Sequence, residues 1–402
     1  MQQANLEGIF EEFLNKESVF LNKDSLSIRY TPENIPHRDV QISGVAKVLA
    51  SCLRLERPSN LFIYGKTGTG KTLVVQKVCH QLEATALKKE VPLKIIYVNC
   101  KMRRVADTEY RLVAQLAREV GHEVPATGLP TDEVYKTFFN SIDDKKQIII
   151  IVLDEIDWLV KKSGDEVLYN LTRVNQELKN AQVCIVGISN DVTFMEDVDP
   201  RVKSSLGEEE LVFPPYDALQ IKDILAERSK IAFVEGAVDE VVISKCAAYA
   251  ARDHGDARRA LDLLRVASEL ADRDGVGNIA EEHVDLAEDK IERDNIFEIV
   301  KHLPTQSQIV LYAGLVLDDT DKQPFFTGDL FNIYNELCDR IGLKILTQRR
   351  ISDLIGELDM LGLFTAKVIS KGRYGRTREV RMGINGGTVG KVKELLESQL
   401  GF

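Results

Sequence analysis

The sequence predicts an α/β protein whose first half is a parallel sheet covered by helices. Four short, apolar, β-branched runs alternate there with helical patterns, and they are NLFIYG (60–65), LKIIYVNC (93–100), QIIIIVLDE (147–155) and AQVCIVGISN (181–190). Strands of this kind, separated by helices, are typical of sheets buried on both faces. After the prolines of FPPYDALQ only helical periodicity follows, to about residue 293. The pattern ends with helices and two strand-like pieces, FTAKVIS and REVRMGI.

Length and composition favour a multidomain globular protein. The 402 residues suit two or three domains of roughly 100 to 200 residues. We predict boundaries at 1–212, 213–293 and 296–396. No apolar run approaches the ~20 residues of a membrane span, and the N-terminus lacks signal-peptide features, so we expect a cytoplasmic protein with no membrane partner. Six scattered cysteines are typical of reduced, mostly buried thiols.

A phosphate-binding motif follows the first predicted strand. LFIYGKTGTGKT places G-x-x-x-x-G-K-T between a strand and a helix, from Gly65 to Thr72. The glycines let backbone N–H groups wrap phosphates, the helix directs its positive end at them, Lys71 adds a full charge and Thr72 would reach Mg²⁺. The sequence therefore predicts a nucleotide site that includes Lys66, Thr67, Gly68, Thr69, Gly70, Lys71 and Thr72.

Acidic side chains end the third predicted strand, in IIIIVLDEID. Asp154 would hold the Mg²⁺ shell, and Glu155 could orient and deprotonate an attacking water. Asp157 fits a local hydrogen bond or cap. Asn190 ends the next strand, where it could contact a γ-phosphate or water, although asparagine is also a common strand terminator.

Two later segments carry arginines that could stabilise phosphate charge. They are Arg201 in DPRVKSSL, and Arg258 and Arg259 in GDARRALDLL. An arginine that reaches a γ-phosphate from another module stabilises the transition state. Taken singly, each of these residues is better explained as an exposed surface residue.

The last segment predicts a winged helix, formed by three helices and a hairpin. In the third helix Ile351, Leu354, Ile355, Leu358 and Leu361 recur at helical spacing, and Thr347 fits an N-cap. Two arginines follow in the first turn, where the helix dipole disfavours cations by about 0.3 to 1 kcal/mol, which suggests an external anion. Although the chain carries a net charge of −11, SKGRYGRTREVRMG is basic. We expect DNA contacts from Arg349, Arg350, Lys371, Arg373, Tyr374, Arg376 and Arg378, and a solvated basic hairpin is the alternative.

In combination these motifs resemble a known family. The phosphate loop, LDEID, Asn190, DPRVKSSL and GDARRALDLLRVA, in this order, are similar to AAA+ ATPases. They most resemble the archaeal replication initiators of the origin recognition complex and cell-division-control-six family. The segment RYTPENIPHRDVQI (29–42) resembles the N-terminal segment that lies beside the adenine in that family. The resemblance implies ATP/ADP and Mg²⁺ as cofactors, Asn190 as sensor 1, Arg201 as an arginine finger directed at a neighbour and Arg258 as sensor 2. It also implies lid contacts to nucleotide from Tyr216 and Arg228.

The same resemblance implies partners. They are double-stranded origin DNA, the MCM replicative helicase and other initiator protomers, with slow ATP hydrolysis as a switch in a nucleoid-associated protein. A family-specific helical insertion that touches DNA falls near NCKMRRVADTEYRLVAQL, so Lys101, Arg103 and Arg104 are candidate DNA contacts. A charged surface loop is the alternative there.

Two other protein classes are alternatives. A P-loop transcription regulator with a winged helix would bind promoters, but it leaves GDARRAL and DPRVKSSL unexplained. A clamp loader is a second ATPase class, but its Ser-Arg-Cys finger motif is absent and a wing replaces its C-terminal collar.

Overall fold

The computed structural model describes residues 18–27, 30–102, 108–125, 128–319, 324–370, 376–384 and 386–402. The chain divides into two compact units, Met1–Val284 (unit 1) and Asp285–Phe402 (unit 2). The predicted division into 1–212, 213–293 and 296–396 is finer, and its boundaries stay a prediction.

Unit 1 contains a parallel sheet, as the sequence predicts, and the sheet has five strands where four were predicted. Its strands are β1 (Leu61–Tyr64), β2 (Leu93–Asn99), β3 (Ile148–Asp154), β4 (Gln182–Ser189) and β5 (Glu209–Val212). They lie in the order β2-β3-β4-β1-β5, and all neighbouring strands are parallel. Strand β5 was not predicted, because it is short, acidic and largely exposed, and so lacks the apolar pattern of the others.

Helices cover both faces of this sheet. Before β5 they are α1 (Asp39–Leu49), α2 (Lys71–Lys88), α3 (Glu109–Glu119), α4 (Thr131–Ile142), α5 (Ile156–Ser163), α6 (Glu166–Arg173), α7 (Phe194–Asp197) and α8 (Pro200–Leu206). Short 3-10 helices occupy Lys23–Leu26, Ala50–Arg54 and Val174–Gln176. Strand β3 is buried throughout because Ile149, Ile151 and Leu153 enter one core and Ile150 and Val152 enter the other.

Only helices follow the sheet in unit 1, as predicted. They are α9 (Ala218–Ala232), α10 (Glu240–Arg252) and α11 (Ala257–Asp274). Asp217 and Gln220 form a reciprocal capping box at the start of α9. Asp256 caps α11 by accepting from the backbone N–H of Arg258 at 2.8 Å. These caps fix where two of the helices begin.

Unit 2 has the predicted winged-helix pattern. After α12 (Glu281–His302) come α13 (Thr305–Asp318), α14 (Thr327–Ile341) and α15 (Gln348–Met360), then β7 (Phe364–Ser370) and β8 (Arg376–Met382). The helical spacing of α15 is confirmed for four of its five apolar positions, which are buried. Leu361 was predicted to pack inward, but it lies after the helix end and is 43% exposed.

Two elements of unit 2 were not predicted. Strand β6 (Phe325–Phe326) pairs with β8 and completes a three-stranded sheet, and α16 (Gly386–Leu400) extends beyond the predicted domain end at residue 396. The six cysteines are free and buried, as predicted. Within the described ranges, no helix has the length and apolar character that crossing a membrane requires.

Candidate functional site

The phosphate loop joins β1 to α2, as the motif predicts. Gly68 and Gly70 have φ angles of 67° and 87°, which favour glycine, and Lys71 begins the helix. The Lys71 ammonium is buried and donates to the carbonyls of Gly65 and Lys66, both at 2.7 Å. Burial lowers the pKa of Lys71 to about 8, an effect that Asp154 opposes and Arg258 reinforces. The Thr69 hydroxyl donates to the backbone carbonyl of Lys66. The side chains of Lys66 and Thr67 are exposed.

A buried carboxylate meets the first turn of α2. The Thr72 hydroxyl donates to Asp154 Oδ2 at 2.9 Å, and Asp154 is 3% exposed. Its other oxygen accepts from the backbone N–H of Glu155 at 2.9 Å. Hydroxyl and carboxylate oxygens are the donors that Mg²⁺ prefers. Among the described residues no cluster of three or more His, Cys, Asp or Glu could hold a metal ion.

The side chain of Glu155 lies beside a residue predicted to bind DNA. Its φ angle of 56° is unusual for a non-glycine residue, and its Oε2 is 3.6 Å from the Nζ of Lys101. Lys101 is 62% exposed and follows β2. The structure thus places Lys101 beside Glu155 at the end of the sheet, whereas Arg103 and Arg104 lie outside the described residues.

The ends of β3 and β4 are held together by a carboxylate. Asp157 Oδ1 accepts from the Ser189 hydroxyl at 3.2 Å and from the Asn190 backbone N–H at 3.3 Å. Because β3 and β4 are neighbours, this contact brings Asn190 to the same edge of the sheet as Asp154 and Glu155.

Arg201 lies away from these residues on α8. Its guanidinium donates to both oxygens of Asp199 at 3.0 Å and stacks on Tyr169 at 4.7 Å. The Arg201 hydrogen bonds lower the pKa of Asp199 to about 2. Arg201 is 63% exposed, and it does not line the cavity described next.

A cavity of about 640 Å³ is lined by six of the predicted site residues of unit 1. The acidic strand end, Asn190 and the Lys71 side chain do not line it. Gly68, Gly70 and Thr72 line it from the phosphate loop, and Tyr216, Arg228 and Arg258 line it from the region after the sheet. Residues 30–36 of the N-terminal segment form a third wall. The resemblance implied each of these three contributions, and the cavity lets one ligand contact them all.

The N-terminal segment is held in place by two buried arginines. Arg38, which sequence reasoning did not assign to the site, is 2% exposed and stacks on Tyr216 at 3.7 Å. It donates to the carbonyls of Thr69 at 2.9 Å and Pro214 at 2.7 Å. Arg228 donates to the carbonyl of Ser25 at 3.2 Å, so its charge is directed at backbone. An arginine before a helix gives no sequence signal of such burial.

The start of α11 lies directly against the phosphate loop. The backbone N–H of Ala257 donates to the carbonyl of Gly68 at 3.3 Å. A Cβ atom at Gly68 would overlap the carboxylate of Asp256. Only glycine therefore allows this approach, which places Arg258 at the cavity.

The predicted DNA residues of unit 2 are only partly described. Arg349 and Arg350 are exposed on α15, where Arg350 Nη2 lies 3.4 Å from Glu357 and its backbone N–H meets the Thr347 cap at 3.4 Å. Arg378 packs over Gly356, where a Cβ would lie 2.7 Å from its guanidinium. The backbone of Arg376 begins β8. Lys371, Arg373 and Tyr374 lie outside the described residues.

Three family models match consecutive parts of the chain. An AAA domain matches residues 54–193, a Cdc6 AAA+ ATPase-type lid domain matches 222–289, and a CDC6 C-terminal winged helix domain matches 298–392. Their order agrees with the sheet, the three helices and the winged helix described above.

Relatives match nearly the whole chain. An ORC1-type DNA replication protein of Pyrococcus furiosus is 54% identical over 95% of this chain and 91% of its own length. An ORC1-type DNA replication protein 1 of Methanosarcina mazei is 52% identical over 96% and 92%. The solved structure of the Aeropyrum pernix ORC1 protein in complex with DNA is 46% identical, covers 95% of this chain and 98% of that one, and superposes with a TM-score of 0.82. The chain therefore belongs to the family of ORC1-type DNA replication proteins.

Proposed function

We propose that this protein is an ATP-dependent initiator that binds duplex origin DNA and helps to load the MCM helicase. The observation that carries the proposal is the cavity of unit 1, where the phosphate loop, the N-terminal segment and the start of α11 meet. The relatives are named as DNA replication proteins, and a similar ORC1 protein has been solved with DNA. These names support the replication role of this chain over that of a promoter-binding regulator.

In this proposal the loop and the sheet edge hold ATP with Mg²⁺. Lys71 would turn from the carbonyls of Gly65 and Lys66 to the phosphates, for which its charge is suited. Thr72 and Asp154 would hold Mg²⁺, which neutralises phosphate charge when it is bound. Glu155 would orient and deprotonate water, and Asn190, at the same edge, would position that water or the terminal phosphate.

Arg258 and Tyr216 would contact the nucleotide from the helical region. Because α11 already meets the loop at Gly68, a γ-phosphate there would pull on the start of this helix. We propose that the helical region closes over ATP and relaxes after a slow hydrolysis step, so that the nucleotide acts as a switch. Arg228 would contribute by holding the N-terminal segment against the cavity.

Unit 2 would bind the DNA. Arg349 and Arg350 are exposed at the start of α15, where an external phosphate would offset their unfavourable position in the helix dipole. The basic segment between β7 and β8 would add contacts from Lys371, Arg373, Tyr374 and Arg376. Arg378 would add a further contact beside α15, where its guanidinium packs over Gly356. MCM, other protomers and a cytoplasmic, nucleoid-associated location belong to the same proposal.

The test compares the DNA binding of variants with and without ATP. Lys71→Ala should reduce ATP affinity about 10- to 100-fold, the cost of a charge-assisted contact, and should abolish the ATP response of DNA binding. Arg349→Ala should lower the slope of log affinity against log salt by about 1. Arg340→Ala removes an equally exposed charge from the last turn of α14 and is the control.

Three outcomes would contradict the proposal. Lys71→Ala could bind ATP like the parent, Arg349→Ala could keep the parent's salt slope, or mapping in cells could place the protein at promoters away from initiation sites. The last result would favour the transcription regulator.

A further inference from the structure

A tyrosine outside every motif contacts the carboxylate proposed to hold Mg²⁺. The Tyr97 hydroxyl donates a hydrogen bond to Asp154 Oδ2, the oxygen that also accepts from Thr72. Tyr97 is on β2, and its Cα lies opposite Val152 in the neighbouring strand, two residues before Asp154. Because its hydroxyl reaches Asp154, its ring extends toward the carboxyl end of the sheet. The contact follows from strand pairing, which no local sequence pattern reveals.

These hydrogen bonds fix the orientation of the carboxylate. One oxygen of Asp154 is held by the Glu155 backbone N–H at 2.9 Å, and the other is held by two hydroxyls. A tyrosine hydroxyl is protonated at neutral pH and can donate, whereas an ionised carboxylate only accepts. With both oxygens held, the carboxylate cannot rotate about its terminal bond. Partners of this kind orient metal-binding carboxylates in other proteins.

We propose that Tyr97 is a positioning residue for the Mg²⁺ site, holding Asp154 in the orientation in which Asp154 and Thr72 bind the cation together. This inference rests on the proposed function, because it assumes that the site takes nucleotide with Mg²⁺. It gives the hydroxyl a role that packing alone does not, since phenylalanine would fill the same space.

The experiment measures how nucleotide affinity depends on free Mg²⁺ in Tyr97→Phe. The full-length protein is titrated with ATP by calorimetry over a range of free Mg²⁺, including excess EDTA. Loss of an outer-shell partner lowers metal affinity about 10-fold or more. We therefore expect the Mg²⁺ concentration for half-maximal ATP affinity to rise about 10-fold, with affinity in EDTA unchanged.

Tyr135→Phe is the matched control. The Tyr135 hydroxyl donates to Glu109 at 2.8 Å, so this variant also deletes a tyrosine–carboxylate bond in unit 1, but its carboxylate is not the one proposed to hold Mg²⁺. We expect its Mg²⁺ dependence to match the parent's. Melting of both variants without nucleotide shows whether either has lost its fold.

A double-mutant cycle provides a second measurement, which does not depend on the stability of one variant. In an Asp154→Asn background, Tyr97→Phe should shift the Mg²⁺ midpoint less than twofold. The inference is overturned if Tyr97→Phe leaves the midpoint of the parent unchanged, or if it lowers affinity equally in EDTA and Mg²⁺. Were the parent itself to bind ATP without any effect of Mg²⁺, the proposed cation site would fail as well.

Discussion

At the scale of single residues, burial determines what the charged groups can do. Lys71 and Asp154 are 4% and 3% exposed, and each has its charge directed at close partners. A buried charge is tolerated only when it is paired or hydrogen-bonded. Arg201 is the opposite case, because its guanidinium is exposed and paired with a single aspartate. Burial therefore directs the charges of Lys71 and Asp154 at partners inside the chain, whereas the Arg201 guanidinium can be reached from outside it.

The pKa of Lys71 predicts that ATP affinity depends on pH. Its ordinary pKa is 10.5, and burial lowers it to about 8 in the free protein. Bound phosphates favour the charged form, so above pH 8 binding requires proton uptake, and affinity should fall by up to about tenfold per pH unit. Calorimetric titration between pH 7 and 9.5 measures this. Lys71→Arg keeps its charge in that range, and its ATP affinity should not follow this decline. A flat profile for the parent would contradict the assignment.

The same pKa has a consequence for stability with a definite sign. The folded pKa lies below the unfolded one, so between pH 8 and 10.5 the unfolded chain binds more protons at this residue than the folded chain does. Below pH 8 burial of the charged Lys71 lowers the free energy of unfolding by its full amount. This destabilisation decreases as the pH rises from 8 to 10.5, because the folded chain then holds Lys71 neutral. The Lys71 contribution to the free energy of unfolding therefore increases with pH there.

At the scale of elements, the apolar pattern determines which helices and strands form, and close packing determines their contacts. Strands β1, β3 and β4 were predictable because they are almost continuously apolar, and β2 because of its central apolar run IIYV. Strand β5 pairs Glu209 and Glu210 with Leu61 and Phe62, so its partner, and not its own sequence, makes it a strand. Helix α16 was not predicted from the sequence. It adds Val392 and Leu396 to the core of unit 2.

Gly314 on α13 provides a test of this packing. A Cβ atom there would lie 2.6 Å from the ring of Phe364 on β7. Alanine improves helix propensity by about 1 kcal/mol, but overpacking costs about 1 to 3 kcal/mol, so we expect Gly314→Ala to destabilise unit 2 by up to about 2 kcal/mol.

The control is a glycine in open space. Gly390 on α16 has no atom within 4 Å of an added Cβ, so Gly390→Ala should stabilise by about 0.5 to 1 kcal/mol. Denaturant unfolding, with hydrogen exchange to localise the effect to unit 2, measures both. Equal effects of the two substitutions would show that propensity alone decides at these positions.

At the scale of the whole molecule, an exposed Arg201 raises the question of how many chains form one active site. Arg201 lies outside the cavity of its own chain and is held by Asp199 and Tyr169. A residue placed in this way could act on a nucleotide bound by a second protomer. If protomers meet on DNA, as proposed, this would explain why Asp199 and Tyr169 hold the Arg201 side chain in an exposed position.

A mixing experiment tests this arrangement. Arg201→Ala should bind ATP normally but lose about 100-fold in hydrolysis, because a donor to transition-state charge is missing. Lys71→Ala keeps Arg201 but should bind ATP about 10- to 100-fold more weakly, so its own site stays largely empty at an ATP concentration that fills Arg201→Ala. When the two variants are mixed on origin DNA, hydrolysis should recover, since each supplies what the other lacks. A mixture no more active than the sum of its components would mean that Arg201 does not act between chains.

The sequence by itself determined the parallel sheet, the phosphate loop, the acidic strand end and the winged helix. These features depend on local periodicity and on motifs whose spacing reflects chemistry. Tertiary structure alone decided that Arg38 joins the loop to the N-terminal segment, that Tyr97 holds Asp154 and that Lys101 lies beside Glu155. Such contacts join residues far apart in the chain, so strand order and burial create them and no short stretch of sequence encodes them.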